Sequence, residues 1–261
     1  MPTLAASSSV ASTPNICGAD VSNSIDRYGP LGLAQAKCDK ASYVKTGVGF
    51  YFDPIKDQRL ELVVANSSDT FDKNQDQPML GFIYTGKVAG GLFEPRATFH
   101  VIPKREIKVK GAAGATKKAA QDTVWNIGGD VKYGDLGVKL DYVQYATGDQ
   151  TATGTKPGDD TTSTLAGRVS YRIDAFEPIF IVESSTDEDK KVSGVTKSTV
   201  KTDSLGLTAA LHFYPTSWKK FRFHAAYSTY SKKADTSGAK EEKTDTFLIG
   251  TALVSDVPVS Y

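Results

Sequence analysis

The chain has 261 residues and a formal net charge of +1, so no overall charge argues for nucleic acid or an acidic partner. Its charged fraction of 23 % and its 23 glycines are ordinary for a globular or barrel protein. Mean hydropathy is slightly negative and no run of ~18 apolar residues occurs, which excludes a helical membrane protein but not a β-barrel, where only every second residue faces lipid.

The first residues, Met1-Pro2-Thr3-Leu4-Ala5-Ala6, lack the basic and apolar regions of an export signal, so the reading takes the chain as mature or trimmed from a longer one. Residues 1–41 form an N-terminal loop-rich segment, marked by Ser7-Ser8-Ser9, Thr13-Pro14 and Asn23-Ser24. The segment is read as a long surface loop, with room for the remains of a strand at its start. Cys17 and Cys38 lie in it. An oxidising periplasm would allow them to form a disulfide stapling the loop, with two free thiols as the alternative.

From residue 42 to 261 the pattern changes to strands. Residues 43–52 and 59–66 are joined by the turn 53–58, with Leu60, Leu62 and Val64 opposite Arg59 and Glu61. After a polar loop at 67–78, residues 79–88 and 92–102 flank a tight Ala89-Gly90-Gly91 turn. In the second of these, Glu94, Arg96, Thr98 and His100 make one face polar throughout, which a soluble sandwich core would not accept. A basic loop, 103–122, follows. Residues 123–133 and 136–146 form a hairpin across Gly134-Asp135. The loop 147–163 is rich in Gly, Thr and Asp. Strand 164–173, turn 174–177 and strand 178–185 come next, and a highly charged loop spans 186–202. In the last third, Leu205, Leu207, Ala209, Leu211 and Phe213 alternate with small residues and His212. A short turn leads to Phe221, Phe223, Ala225 and Tyr227, which alternate with Arg222 and His224. A polar loop, 231–243, precedes the final strand, 244–255.

The connections alternate between short turns and long polar loops, as periplasmic turns and external loops of outer-membrane barrels do. About eleven strands are visible. Bacterial barrels have an even number, so one strand is hidden near the N-terminus or lost from it. The fold expected is an all-β antiparallel transmembrane β-barrel of about 12 strands, or the C-terminal part of a larger porin barrel. Aromatics near strand ends, Trp125, Tyr133, Tyr171, Phe213 and Trp218 among them, suit interfacial girdles.

Residues Leu205-Gly206-Leu207-Thr208 through Phe213-Tyr214-Pro215, then Phe221-Arg222-Phe223-His224-Ala225-Ala226-Tyr227, resemble the penultimate hairpin of Gram-negative outer-membrane porins, most closely the phosphate-selective type. The resemblance covers the last fifth of the chain, and the remainder only in rhythm. It implies a β-barrel channel, often a trimer. Porins of that type are usually longer, with more strands, and their phosphate-binding ladder has no residue-by-residue match here.

With the polar face inward, the candidate pore lining is Arg59, Glu61, Lys87, Glu94, Arg96, His100, Lys139, Asp141, Arg168, Arg172, Glu183, His212, Arg222 and His224. Basic residues outnumber acidic ones on it, which favours anions weakly, unless mixed charges simply pair and fill a narrow barrel. The basic loop 103–122 could fold into the lumen. His212 and His224 are candidate cross-strand neighbours. No metal site is expected, since three or four convergent ligands are lacking. Ser228 and His224 are too far apart on one strand for a direct hydrogen bond, and no Gly-x-Ser-x-Gly elbow, Walker loop or dinucleotide fingerprint occurs, so no enzyme and no cofactor are expected. The function expected is passive diffusion of small hydrophilic solutes or ions through the bacterial outer membrane. The alternative is a structural or assembly barrel, plugged by loops and anchoring a partner membrane protein.

Overall fold

A computed structural model describes residues 4–7, 47–66, 78–102, 105–108, 116–119, 122–147, 150–151, 160–193, 196–215 and 221–253. The strands in chain order are β1 (Leu4–Ser7), β2 (Gly47–Phe52), β3 (Gln58–Asn66), β4 (Pro78–Gly86), β5 (Phe93–Ile102), β6 (Arg105–Lys108), β7 (Thr116–Ala119), β8 (Asp122–Tyr133), β9 (Leu136–Thr147), β10 (Gln150–Thr151), β11 (Asp160–Tyr171), β12 (Phe176–Ser193), β13 (Thr196–Phe213), β14 (Phe221–Ala234) and β15 (Glu242–Leu253). Twelve of them form one sheet in the order β1-β2-β3-β4-β5-β8-β9-β11-β12-β13-β14-β15, every pair antiparallel. Among the described residues no ladder joins β1 to β15, so the sheet is open. The strand hidden near the N-terminus is β1. The Cys17–Cys38 pairing lies outside the described residues.

The sheet has no second layer, yet its two faces differ sharply. Asp141 and Asn126 are fully buried and Val143 is 1 % exposed, whereas Ile127, Leu140 and Leu165 are 59 %, 55 % and 47 % exposed. Period-two alternation sends these groups to opposite faces. A single sheet can bury one face only by curling around it, so the polar face is inside and the apolar face outside. The described outward residues are apolar along the middle of each long strand: Leu62, Leu80, Phe82, Phe99, Val169, Phe180, Leu205, Leu211 and Tyr227. Aromatics gather at the short-turn end. Phe213 stacks on Phe176 at 5.0 Å between ring centroids and on Phe223 at 6.3 Å, with Tyr133 and Tyr171 exposed at the same end. On β8 the stretch from Trp125 to Tyr133, both outward aromatics included, is nine residues, and a tilted transmembrane strand needs roughly 9–11.

The short turns agree with the sequence reading. Gly134 adopts a positive φ in the Gly134-Asp135 hairpin, and Ala89, Gly90 and Gly91 do so in the tight turn between β4 and β5. The long-loop side differs. The segment expected as a charged loop at 186–202 is mostly strand: β12 and β13 have 18 residues each and pair out to Ser193↔Thr196. From Thr186 upward both faces are polar, which hides the alternation that marks a strand in sequence. The hairpin is held by the ladder and by cross-strand contacts on its outer face. Thr186 Oγ1 donates to Asp203 Oδ1 at 2.7 Å, and Lys201 Nζ lies 2.8 Å from Glu188 Oε1. That ion pair holds the Glu188 carboxyl below, and the Lys201 ammonium above, their usual ranges. Likewise β11 begins at Asp160, Phe176 and Glu177 belong to β12 instead of a turn, and β14 extends to Ala234 into the expected loop 231–243. The basic loop 103–122 contains β6 and β7, which join β10 in a separate three-stranded sheet.

The outward face yields a depth-dependent expectation. Val169→Lys, in the middle of the apolar band on β11 with Phe180 and Val138 as its register partners, should cost ~2–4 kcal/mol of bilayer-embedded stability, and Ser163→Lys, six residues toward the long loops, ~0–1 kcal/mol. Urea titration in lipid vesicles measures both, and equal costs would refute the assignment of this face to lipid.

Candidate functional site: the inward polar wall

Every residue of the candidate lining sits on the inward face or at its short-turn rim. They fall into two clusters. The first spans β3 to β9. Arg96 on β5 donates from Nη1 to Asp130 Oδ1 at 2.6 Å, and from Nη2 and Nε to the two oxygens of Asp141 at 2.6 and 3.1 Å. Asn126 Nδ2 adds a bond to Asp141 Oδ1 at 3.2 Å, and Lys139 Nζ approaches Asp130 Oδ2 at 3.4 Å. Nearer the turns, Lys132 Nζ lies 3.1 Å from Glu94 Oε2. Arg59 makes a bidentate pair with Asp53, at 2.9 and 3.1 Å, and stacks over Tyr51 at 4.4 Å. Lys87 is exposed at the rim, where its backbone N–H donates to Asp57 O. An open pocket of about 760 Å³ lies at the rim, lined by Asp53, Lys56, Arg59, Lys87, Glu94 and Arg96 among others.

The second cluster spans β11 to β15. His212 is fully buried, and its Nδ1 lies 3.4 Å from Glu177 Oε2, 3.4 Å from the Tyr214 hydroxyl and 3.3 Å from Arg222 Nη1. Tyr214 donates to Glu177 Oε2 at 2.7 Å, and Arg172 stacks over the Tyr214 ring at 3.9 Å. Arg168 is close enough to act on Glu177 electrostatically. The two histidines are direct cross-strand partners, with ring centroids 6.3 Å apart. The Ser228 hydroxyl bonds that of Thr208 at 2.7 Å, as Thr164 bonds Ser185 at 2.9 Å. Farther toward the long loops, Glu183 is fully buried and Asp187 accepts from Thr162 at 2.5 Å.

The wall also contains a feature that reading along the chain did not reveal. Long inward side chains lie over glycines of the neighbouring strand. A Cβ on Gly81 would fall 2.5 Å from His100 Nδ1, one on Gly250 2.6 Å from His224 Nε2, and one on Gly49 2.7 Å from Glu61 Oε1. Gly128 lies under Asp141 in the same way, and Gly206 is the register partner of Glu183. The side chains therefore rest along the wall.

Sequence reasoning missed Asp130, Glu177, Asp187, Asp189, Asn126 and Tyr214 on this face. Two signals could have found them. Asp130 shares the parity of Asn126 on β8, and Glu177 emerges once β12 begins at Phe176. Adding them removes the expected basic excess, so the inward charges are of mixed sign and largely paired.

No protein-family model matches the chain, and no curated protein matches it by sequence. Its shape does match solved structures. OmpT of Vibrio cholerae, an outer membrane protein in its in-vitro folded form, aligns with a TM-score of 0.62 and 14 % identity over 96 % of this chain and 75 % of that one. The outer-membrane expressed OmpT of the same organism aligns at 0.58 and 12 %, over 97 % and 76 %. An anion-selective porin from Comamonas acidovorans aligns at 0.53 and 10 %, over 80 % of this chain and 59 % of its own. The fold is thus that of outer-membrane β-barrels. The likeness does not single out the phosphate-selective type.

Two measurements test the wall. Arg96→Met strands two carboxylates, one fully buried, and should destabilise by ~3–5 kcal/mol. Adding Asp141→Asn should recover part of that loss in urea unfolding, and strictly additive costs would show that the pair is uncoupled. At the rim, Arg59 holds the Asp53 carboxyl below its ordinary 3.8. The stabilisation is present above that value and fades as pH falls through the lowered one. NMR titration should place the Asp53 midpoint below 3.8 and return it upward in Arg59→Gln.

Proposed function

We propose that this chain forms a water-filled pore in the bacterial outer membrane, through which small hydrophilic solutes or ions diffuse passively. The observation that carries this reading is the glycine-notched wall. Polar side chains long enough to cross a narrow interior lie flat on glycines of adjacent strands, an arrangement that keeps the interior open and wettable. The likeness to outer-membrane barrels, one of them an anion-selective porin, supports the same reading. The protein is not an enzyme in this view: it lowers a barrier by supplying a polar path through hydrocarbon. Anion preference is weak, because Asp130, Asp141, Glu177 and Glu183 share the wall with Arg96, Arg168, Arg172 and Arg222. Lipid surrounds the outward face, and assembly as a trimer fits the porin resemblance.

A second reading draws on the small sheet of β6, β7 and β10, built from the two connections that flank β8 and β9. If that sheet fills the interior, the protein is a structural barrel that anchors a partner.

Planar-bilayer recording separates the two. The pore reading expects discrete steps with a reversal potential close to zero in a salt gradient, because the acidic and basic charges of the wall balance. Gly81→Val and Gly250→Val, which lift His100 and His224 off the wall, should lower unitary conductance while a heat-modifiable gel band shows an intact barrel. Silent but properly inserted wild-type protein would favour the structural reading.

A further inference from the structure

The inward face is not polar throughout. Val124, Val143, Ala166, Ile179, Ile181, Ala210 and Ala226 form one apolar cluster on it, with Tyr145 and Leu248 packed against them. The cluster draws on β8, β9 and β11 to β15, which are consecutive strands of the main sheet. Ile179, Ala210, Ala226 and Leu248 are successive register partners. From Ile181 the belt steps two residues toward the long loops with each strand. Ala166 lies two residues beyond Arg168, the partner of Ile181. Val143 lies two beyond Asp141, the partner of Ala166, and Val124 two beyond Asn126, the partner of Val143. The short turns step across the sheet in the same direction, as the tilt of barrel strands requires. The belt therefore keeps near one height.

The belt is dry. Its buried members are 0 to 8 % exposed, although they stand on the concave side of a single sheet. The polar groups beside it are turned to one another. Asp141 and Glu183 share the row of Ala166 and are fully buried, the first held by Arg96 across Gly128. The neighbouring hydroxyls pair off, Thr164 with Ser185 and Thr208 with Ser228. Arg168 acts on Glu177, toward the short turns. A solute crossing this height meets methyl and methylene groups that cannot replace its water, and an ion loses hydration there without compensation. Apolar constrictions in pores act by excluding water in this way.

We infer that this belt is the selective step of the pore, passing weakly hydrated ions and small solutes with an apolar face ahead of small, strongly hydrated ions. This rests on the pore reading above. The notched glycines and the belt act together. His100, Asp141 and His224 lie against glycines of the wall, which leaves short apolar side chains to form the surface at mid-height. A pore lined by water throughout would instead pass each ion in proportion to its mobility in bulk solution.

The test is unitary conductance divided by the conductivity of the bathing solution, measured in caesium thiocyanate and in lithium sulfate. The quotient should be roughly fivefold higher in caesium thiocyanate, a barrier difference of ~1 kcal/mol. Val143→Thr with Ile181→Thr places hydroxyls in the belt at little change of volume. It should raise the lithium sulfate quotient and bring the two salts toward equality, with a heat-modifiable band as the check on folding. Equal quotients in wild-type channels would overturn the inference and leave the pore reading standing, whether or not the variant folds. A wild-type difference that persists in the folded variant would overturn the assignment to this belt. No channels in either salt would overturn the pore reading as well.

Discussion

Hydrocarbon offers no hydrogen bonds, and that constraint governs the molecule. Every backbone N–H and C=O that crosses the membrane must find its partner in a neighbouring strand. Between its two edge strands the twelve-stranded meander answers this with near-neighbour ladders, each strand pairing with the next of the main sheet. Once the backbone is satisfied that way, the side chains are sorted by the pleat alone. Leu165 and Val169 go outward between Thr164, Ala166 and Arg168, which go inward. Apolar area on the outside meets lipid instead of a core, so the polarity of a soluble protein is inverted without any change in local geometry.

An interior lined by ions then has its own requirement. Arg96 is sandwiched between Asp130 and Asp141, and Glu177 takes a hydrogen bond from Tyr214 beside His212 and Arg222. Charges this withdrawn from bulk water persist only where partners and donors compensate the lost hydration. The compensation runs sideways, from strand to strand, and so ties neighbouring strands together beside the small apolar cluster of Val124, Val143, Ala166, Ile179 and Ile181 on the same face.

How legible this was in the sequence follows from which direction the information runs. Features repeated along the chain were readable: the alternation of Leu205 to Phe213, the Gly134-Asp135 turn, and the shared inward parity of Arg96 and His100. Features held by pairing across strands were not. Residues 186–202 are polar on both faces, so nothing along the chain distinguishes strand from loop there, yet the ladder from Thr186↔Asp203 to Ser193↔Thr196 makes them a hairpin. Glu177 was hidden by its place next to a turn. The basic character assigned to the wall came from weighing residues singly, when Asp130 and Asp141 both converge on one guanidinium.

The glycines of the wall are silent in any single-strand reading, yet each one is the imprint of a side chain elsewhere. Gly81 carries the shape of His100, Gly128 that of Asp141, and Gly250 that of His224. Such positions form complementary pairs in which bulk can be exchanged only in concert: a larger residue at one demands a smaller one at the other, at the same height on the adjacent strand. The barrel wall is therefore inherited as couples joined across its ladder, and substitutions drawn strand by strand would break those couples even where each strand, taken alone, remained a well-formed amphipathic sequence.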